Sequence, residues 1–143
     1  MSVSKKTGPL VFDAFPFLVL VRKQTGWERI RDSVDEASDN GFRHLVSLIN
    51  LGEAYYMMLR EHGQELATRM LRGILDSPFE IVIPTFHQME LAALFKAGGG
   101  LSYADCYAVA LAKQNNLAVF TGDPEFKIAE REGVKVEWLP PNR

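Results

Sequence analysis

The sequence predicts an α/β protein, specifically a three-layer α/β/α sandwich built on a five-stranded parallel sheet. Three observations support this fold class. Five short apolar runs alternate with helical patterns along the 143 residues. Most of these runs are continuously apolar, which is typical of parallel strands that helices cover on both faces. No internal repeat, low-complexity tract or linker interrupts the alternation, so we expect a single domain.

The predicted elements follow one another in a regular order. Strands are expected at residues 10–12 (LVF), 45–48 (LVSL), 80–83 (EIVI), 118–120 (AVF) and 134–137 (VKVE). Helices are expected at residues 16–24, 27–39, 51–62, 64–76, 86–97, 103–115 and 124–132. Gly41, Gly63 and Gly133 stand where helices are expected to end. The domain should span residues 1–143, with loose ends at 1–8 and 140–143.

Composition narrows the class of protein. A single cysteine, Cys106, excludes an intrachain disulfide and a CxxC-type zinc site, so a reducing, cytoplasmic setting is expected. The net charge of −2 argues against a broad basic surface for nucleic acid, but not against a nuclease whose acidic pocket is neutralised by metal. The apolar stretch PLVFDAFPFLVLV is interrupted by Asp13 and Pro16 and is too short to span a bilayer, so we expect no membrane association.

Four acidic residues occur where strands end or helices begin. Asp13 directly follows the first strand, and Asp123 directly follows the fourth. Glu53 opens the helix after the second strand, and Asp105 opens the helix before the fourth. Right-handed βαβ units place helix N-termini and strand C-termini at the same edge of the sheet, where such sheets bind ligands. All four carboxylates are therefore expected at one edge.

Each of these acids also has a structural explanation. Asn50 with Glu53, and Ser102 with Asp105, have the spacing of a helix capping box. The two other acids precede helices and could cap them. Several carboxylates brought together would repel one another, and their pKa values would rise unless a cation joined them. Mg²⁺ takes oxygen ligands of this kind and can polarise a phosphodiester and activate an attacking water, so capping and metal binding both stay open.

Several segments resemble the PIN-domain family, and within it the VapC-like toxins of type II toxin–antitoxin systems. The similarity extends from VFDAF through VSLINLGEAYYMMLREHG and KAGGGLSYADCYAVALAKQNNLAVFTGDPEFK to VEWL, and SYAD and TGDPEF are its most distinctive parts. Ala14 departs from the family's pattern, since a hydroxyl residue often follows the first acid. The resemblance implies a PIN-like parallel sheet and an endoribonuclease that depends on Mg²⁺ or Mn²⁺.

The resemblance also implies site residues and partners. The hydroxyl residue that often precedes the family's last acid corresponds to Thr121, and the acidic quartet corresponds to Asp13, Glu53, Asp105 and Asp123. Such toxins cleave RNA, are usually homodimers, and pair with an antitoxin whose C-terminal segment covers the active-site groove. The helical segment 55–58 (YYMM) is apolar around much of its circumference, so this helix is expected to be either deeply buried or partly at an interface.

Roles for these residues follow as hypotheses. We predict that Asp13 and Asp105 bind the metal directly, and that Asp123 is a ligand or contacts one. Glu53 would bind a second metal or orient the attacking water. Thr121 would hydrogen-bond a carboxylate or the scissile phosphate.

Other polar residues are interpreted as structural. Glu125 is interpreted as a solvated charge in a first helical turn. The three histidines lack the HExxH spacing of a zinc site, and Cys106 has no identified base partner.

Two other functions stay open. A non-catalytic PIN-like binding module would use the acids for capping or for a structural metal, and a structure-specific DNA nuclease would have the same fold. A haloacid-dehalogenase-type phosphatase needs an aspartate where this chain has Phe15. A receiver-type domain needs an aspartate at the end of the third strand, which here ends in IVIPT, so both of these classes are disfavoured.

Overall fold

The computed structural model, which describes residues 6–140, contains one sheet of five strands. These are β1 (Val11–Phe12), β2 (His44–Ser47), β3 (Phe79–Val82), β4 (Val119–Thr121) and β5 (Val136–Trp138). Their order is β3-β2-β1-β4-β5, and every neighbouring pair is parallel. The predicted five-stranded parallel sheet is confirmed. The strand order reverses between β1 and β4, which is the point where open α/β sheets bind ligands.

Seven α-helices, counted over residues 6–140, cover the two faces of the sheet. They are α1 (Ala14–Arg22), α2 (Trp27–Asn40), α3 (Leu48–His62), α4 (Gln64–Leu75), α5 (Phe86–Ala97), α6 (Tyr103–Asn115) and α7 (Lys127–Arg131). One buried apolar cluster joins α1, α2, α3 and α4 to the sheet, and a second joins α5, α6 and α7 to it. The predicted three-layer α/β/α sandwich is therefore confirmed. None of these helices is both long enough and apolar enough to cross a membrane.

Strand β1 separates the two cores and positions the residue that follows it. Phe12 belongs to one buried cluster and the residue before it to the other, because successive side chains of a strand point to opposite faces. The Phe12 ring centroid lies 5.3 Å from that of Phe17, 4.9 Å from that of Phe79 and 5.3 Å from that of Phe120. This packing fixes the end of β1, and Asp13 comes next in the chain.

His44 is a buried structural residue that supports the start of β1. Its Nδ1 accepts a hydrogen bond from the Leu10 N–H at 3.0 Å, and its Nε2 lies 2.9 Å from the Ser33 carbonyl oxygen. A neutral ring that donates through Nε2 satisfies both partners. Burial lowers the pKa of His44, which keeps the ring neutral. This geometry agrees with the interpretation of His44 as structural.

The start of α3 differs from the sequence prediction. The helix begins at Leu48 rather than at residue 51, so residue 48 belongs to the helix and not to β2. Ser47 caps it, because the Ser47 side chain accepts a hydrogen bond from the Ile49 N–H at 3.2 Å. Asn50 is consequently a helical residue, and the capping box that its spacing from Glu53 suggested does not form.

Other helix and strand boundaries also differ from the sequence prediction. α1 begins at Ala14 rather than at residue 16. The predicted helix at 124–132 is a 3₁₀ turn (Pro124–Phe126) followed by α7. β5 begins at Val136 rather than at residue 134, because the Val134 N–H donates to the Ala129 carbonyl oxygen at 3.0 Å and so closes the preceding helix.

The predicted loose ends fall partly outside the described residues, since 1–5 and 141–143 are not described. Within the described part, the N–H groups of Thr7 and Gly8 donate to the Glu36 carboxylate, at 3.2 Å and 2.9 Å. Residues 7 and 8 are therefore attached to helix α2.

Candidate active site

The first two parts of the site meet because β1 and β4 are parallel neighbours. Asp13 follows β1, and Thr121 is the last residue of β4. The Thr121 Oγ1 donates to the Asp13 Oδ2 at 2.9 Å and accepts a hydrogen bond from the Asp123 N–H at 3.1 Å. Both Asp13 and Thr121 are buried, with 2% and 0% of their surface exposed. Thr121 thus connects Asp13 to the backbone of Asp123.

A close contact between the turn after β4 and the start of α1 supports this arrangement. Gly122 stands between Thr121 and Asp123, and a Cβ atom there would lie 2.7 Å from the Cε1 of Phe15. Only glycine leaves room for the ring of Phe15 beside this turn. The glycine in TGDP is therefore explained by packing of the turn after β4 against the start of α1.

Asp105 comes from a separate part of the chain. It lies in the first turn of α6, whose N-cap Ser102 accepts a hydrogen bond from the Asp105 N–H at 3.2 Å. The helix N-terminus favours a negative charge there. One carboxylate oxygen each of Asp105, Asp123 and Glu125 lies within 4.8 Å of the others. Glu125 is exposed, as its interpretation as a solvated charge requires, but it also belongs to this group of acids.

Glu53 enters the site from the second turn of α3. It is half-buried, and burial together with the charge of Asp123 raises the pKa of Glu53. Since Asn50 does not cap the helix, the capping explanation for Glu53 no longer applies. Helix α3 packs against α6, and the charge of Glu53 contributes to the raised pKa of Asp105 on α6.

Asn50 joins those two helices. Its Nδ2 donates to the Ala104 carbonyl oxygen at 3.0 Å, directly before Asp105 in the chain. The Asn50 side chain is fully buried, and its Oδ1 has no hydrogen-bond partner among the described residues. A buried acceptor of this kind is rare in folded proteins. Sequence reasoning missed this role, because the N-x-x-E spacing suggested a cap.

The carboxyl groups interact electrostatically. Burial is the largest cause that raises the pKa of Asp13 well above its usual range, and the charges of Asp105 and Asp123 add to it. The hydrogen bonds from Thr121 and the Phe15 N–H act in the opposite direction. Burial likewise raises the pKa of Asp105 to about 6, with contributions from the charges of Glu53, Asp123 and Glu125. The charges of neighbouring acids therefore contribute to the raised pKa values of Asp13, Glu53 and Asp105.

The donor set fits a hard divalent cation. The groups that converge are carboxylate oxygens, which Mg²⁺ and Mn²⁺ prefer over nitrogen or sulfur. Burial and mutual repulsion both disfavour the ionised acids, and a cation would relieve both effects. The oxygens of Asp105, Asp123 and Glu125 lie close enough to one another that they could hold one ion. In contrast, capping alone explains no mutual approach of acids from four separate segments.

The fold and this acidic edge together define a family. The chain belongs to the PIN domain family, whose model matches residues 10–132. No curated protein sequence matches the chain.

Solved structures that share the fold include toxins of toxin–antitoxin systems. VapC20 from Mycobacterium tuberculosis, described as a toxin that cleaves the sarcin-ricin loop, superposes with a TM-score of 0.73 over 92% of this chain and 99% of that chain, at 16% identity. VapBC2 from Rickettsia felis, bound to a DNA fragment of its promoter, superposes with a TM-score of 0.74 over 92% of this chain and 98% of that chain, at 15% identity. FitAcB from Neisseria gonorrhoeae superposes with a TM-score of 0.64 over 89% of this chain and 95% of that chain, at 21% identity. At these identities the similarity shows the fold.

Removing the Thr121 hydroxyl should destabilise the fold. Thr121→Val keeps the shape of the side chain, but removes the donor to Asp13 and the acceptor of the Asp123 N–H. We expect the free energy of unfolding to fall by about 1–3 kcal/mol, because buried partners lose their hydrogen bonds. Urea denaturation at neutral pH measures this change. Thr121→Ser, which keeps the hydroxyl, is the matched control, and equal stability of the two variants would contradict the assignment.

Proposed function

We propose that this chain is a VapC-like toxin, a divalent-metal-dependent endoribonuclease in a single PIN-like domain. The observation that carries the proposal is a cluster of acids at the carboxyl edge of the sheet. Carboxylate oxygens of Asp105, Asp123 and Glu125 lie within 4.8 Å of one another. Asp13 and Glu53 interact electrostatically with members of this group. Membership of the PIN domain family, a family of nucleases, supports hydrolysis of a phosphodiester. Structural neighbours that are VapC toxins support RNA as the substrate.

In this proposal, Asp13, Asp105 and Asp123 hold Mg²⁺ or Mn²⁺, and Glu53 holds a second ion or orients the attacking water. A divalent ion bound there would polarise the phosphodiester and favour the ionised form of water. Thr121 keeps the Asp13 carboxylate in one orientation through its hydrogen bond.

The remaining polar groups have supporting roles in the proposal. Glu125 is close enough to Asp105 and Asp123 to join the ligand set or to accept a proton from the water. Asn50 maintains the spacing of α3 and α6, and with it the spacing of Glu53 and Asp105. These side chains lie on helix starts and strand ends of a rigid scaffold, which favours a preformed site.

Two protein partners follow from the same proposal. VapBC2 and FitAcB belong to toxin–antitoxin complexes, which supports a cognate antitoxin for this chain. Exposed apolar side chains, among them Tyr56, Leu75 and Leu94, support association with such a partner or with a second copy in a homodimer. We also propose a cytoplasmic setting, in keeping with one buried free cysteine.

The experiment that tests the function compares substrates and metals. The purified protein is incubated with a single-stranded RNA, a matched DNA strand and a DNA flap, in Mg²⁺, in Mn²⁺ and in EDTA. The proposal predicts RNA cleavage in either metal and none in EDTA. Cleavage restricted to the DNA flap would identify a structure-specific DNA nuclease. Absence of cleavage of all three substrates in both metals would favour a non-catalytic binding module.

A further inference from the structure

We propose that Tyr103 is a stacking platform for a nucleobase next to the scissile phosphate. The proposal rests on the ribonuclease function proposed above and adds a specific substrate contact to it. Tyr103 is the first residue of α6, two positions before Asp105, so it lies within one helical turn of the acidic edge. Tyr103 is 46% exposed, which leaves aromatic surface accessible at the start of the helix that carries Asp105.

A second tyrosine holds the Tyr103 ring in place. The hydroxyl oxygens of Tyr103 and Tyr107 lie 3.1 Å apart, within hydrogen-bond distance. The two rings meet edge to face, with centroids 5.2 Å apart and an interplanar angle of 76°. Tyr107 is itself buried and therefore has a fixed position. Tyr103 is thus oriented before any substrate arrives, which lowers the entropic cost of binding.

The charge of the protein favours a contact that does not depend on charge. Nucleic-acid-binding proteins usually gain affinity from many Lys and Arg contacts to phosphates, but this chain has a net charge of −2. Its acidic edge also repels a phosphate backbone unless cations are present. Proteins that bind single-stranded RNA obtain affinity from bases stacked on aromatic rings, which is independent of charge. Tyr103 supplies an aromatic face of this kind in the first turn of α6, which also carries Asp105.

Phe86 provides a matched control. It is also an aromatic residue at the first position of a helix, α5, and it is 76% exposed. The first turn of α5 carries no acid, and α5 follows the edge strand β3, which is separated from β1 by β2. A general effect of removing an exposed aromatic ring would appear at Phe86 as well as at Tyr103.

The first test measures cleavage of single-stranded RNA oligonucleotides in Mn²⁺. Tyr103→Leu keeps an apolar side chain but removes the aromatic face, and we expect its KM to rise by about 10- to 100-fold with kcat nearly unchanged. Tyr103→Phe keeps the ring and should restore most of the lost affinity. Phe86→Leu should behave as wild type. An unchanged KM in Tyr103→Leu, or an equal loss in Phe86→Leu, would overturn the proposal.

The second test removes the base instead of the ring. Once wild-type cuts have been mapped, oligonucleotides are made with an abasic ribonucleotide on either side of the cut. At one of the two positions, the abasic RNA should bind the wild type about as weakly as the intact RNA binds Tyr103→Leu. Tyr103→Leu should bind this abasic RNA little more weakly than it binds the intact RNA. If the loss from the abasic site and the loss from Tyr103→Leu add at both positions, the stacking contact is refuted, whereas the ribonuclease proposal stands. If the wild type cleaves no RNA, the ribonuclease proposal and this one fail together.

Discussion

Asp105→Asn should reduce RNA cleavage by about a thousandfold or more without unfolding the protein. The substitution keeps the size of the side chain and removes the charge that would hold the metal, and metal stabilisation of the transition state amounts to several kcal/mol. Asp13→Asn should have an effect of similar size, because Asp13 is buried between Thr121 and the other acids. Single-turnover cleavage of an end-labelled RNA in Mg²⁺ and in Mn²⁺ measures both effects.

Asp39→Asn is the control for this prediction. Asp39 is an exposed acid near the end of α2, just before β2 begins, and therefore lies at the opposite edge of the sheet. Its substitution removes one negative charge and should leave cleavage unchanged. Circular dichroism and thermal melting show whether each variant is folded. Cleavage at the wild-type rate by folded Asp13→Asn and Asp105→Asn variants would exclude these carboxylates from the reaction.

Asp105→Asn should stabilise the metal-free protein above pH 6. Folding raises the pKa of Asp105 to about 6, so the acid is easier to ionise in the unfolded chain than in the folded one. The wild type therefore loses stability as the pH rises through about 6, and Asp105→Asn avoids this loss. At pH 8 we expect the variant to be more stable by roughly 1–2 kcal/mol, after solvent screening is allowed for. Near pH 4 the difference should disappear.

Divalent metal should make the wild type more stable than Asp105→Asn, the reverse of the order expected without metal. Mn²⁺ at 100 times its dissociation constant would stabilise the wild type by about 2.7 kcal/mol, since it binds the folded state alone. Asp105→Asn should show little of this gain. Urea denaturation at pH 8, with EDTA and with Mn²⁺, measures all four stabilities. A variant that is less stable than wild type in EDTA would show that the Asp105 charge stabilises the metal-free fold.

The sequence was sufficient to predict the sheet and the edge at which the acids lie. Continuous apolar runs such as LVF predict strands covered on both faces, and the rule for βαβ units then assigns strand ends and helix starts to one edge. Asp13, at the end of β1, and Asp123, after β4, follow directly from this rule. The prediction needs only local patterns and one topological principle.

Capping was harder to predict, because several residues near a helix start can serve as the cap. Asn50 and Glu53 have the spacing of a capping box, but Ser47 has a suitable hydroxyl three residues earlier and caps α3 instead. The resulting early start places Asn50 inside the helix, where its amide reaches the Ala104 carbonyl oxygen of α6. That contact joins residues 54 positions apart and has no local signal.

The mutual distances of the acids could not be predicted either, because they depend on contacts between distant parts of the chain. The proximity of Glu125 to Asp105 depends on the 3₁₀ turn that follows β4, where a regular helix was expected. The hydrogen bond from Thr121 to Asp13 depends on the register of β1 and β4. The bracing of Tyr103 by Tyr107 could have been suspected from their spacing of four residues, which places both on one face of a helix.

A crystal soaked in Mn²⁺ tests the central claim most directly, because manganese scatters anomalously and can be located without interpretation of weak density. We predict an anomalous peak bound by carboxylate oxygens of Asp105 and Asp123, with Asp13 as a further ligand, and no such peak in crystals of Asp105→Asn. A wild-type crystal with no peak at these residues under saturating Mn²⁺ would contradict the metal site, and with it the proposed nuclease.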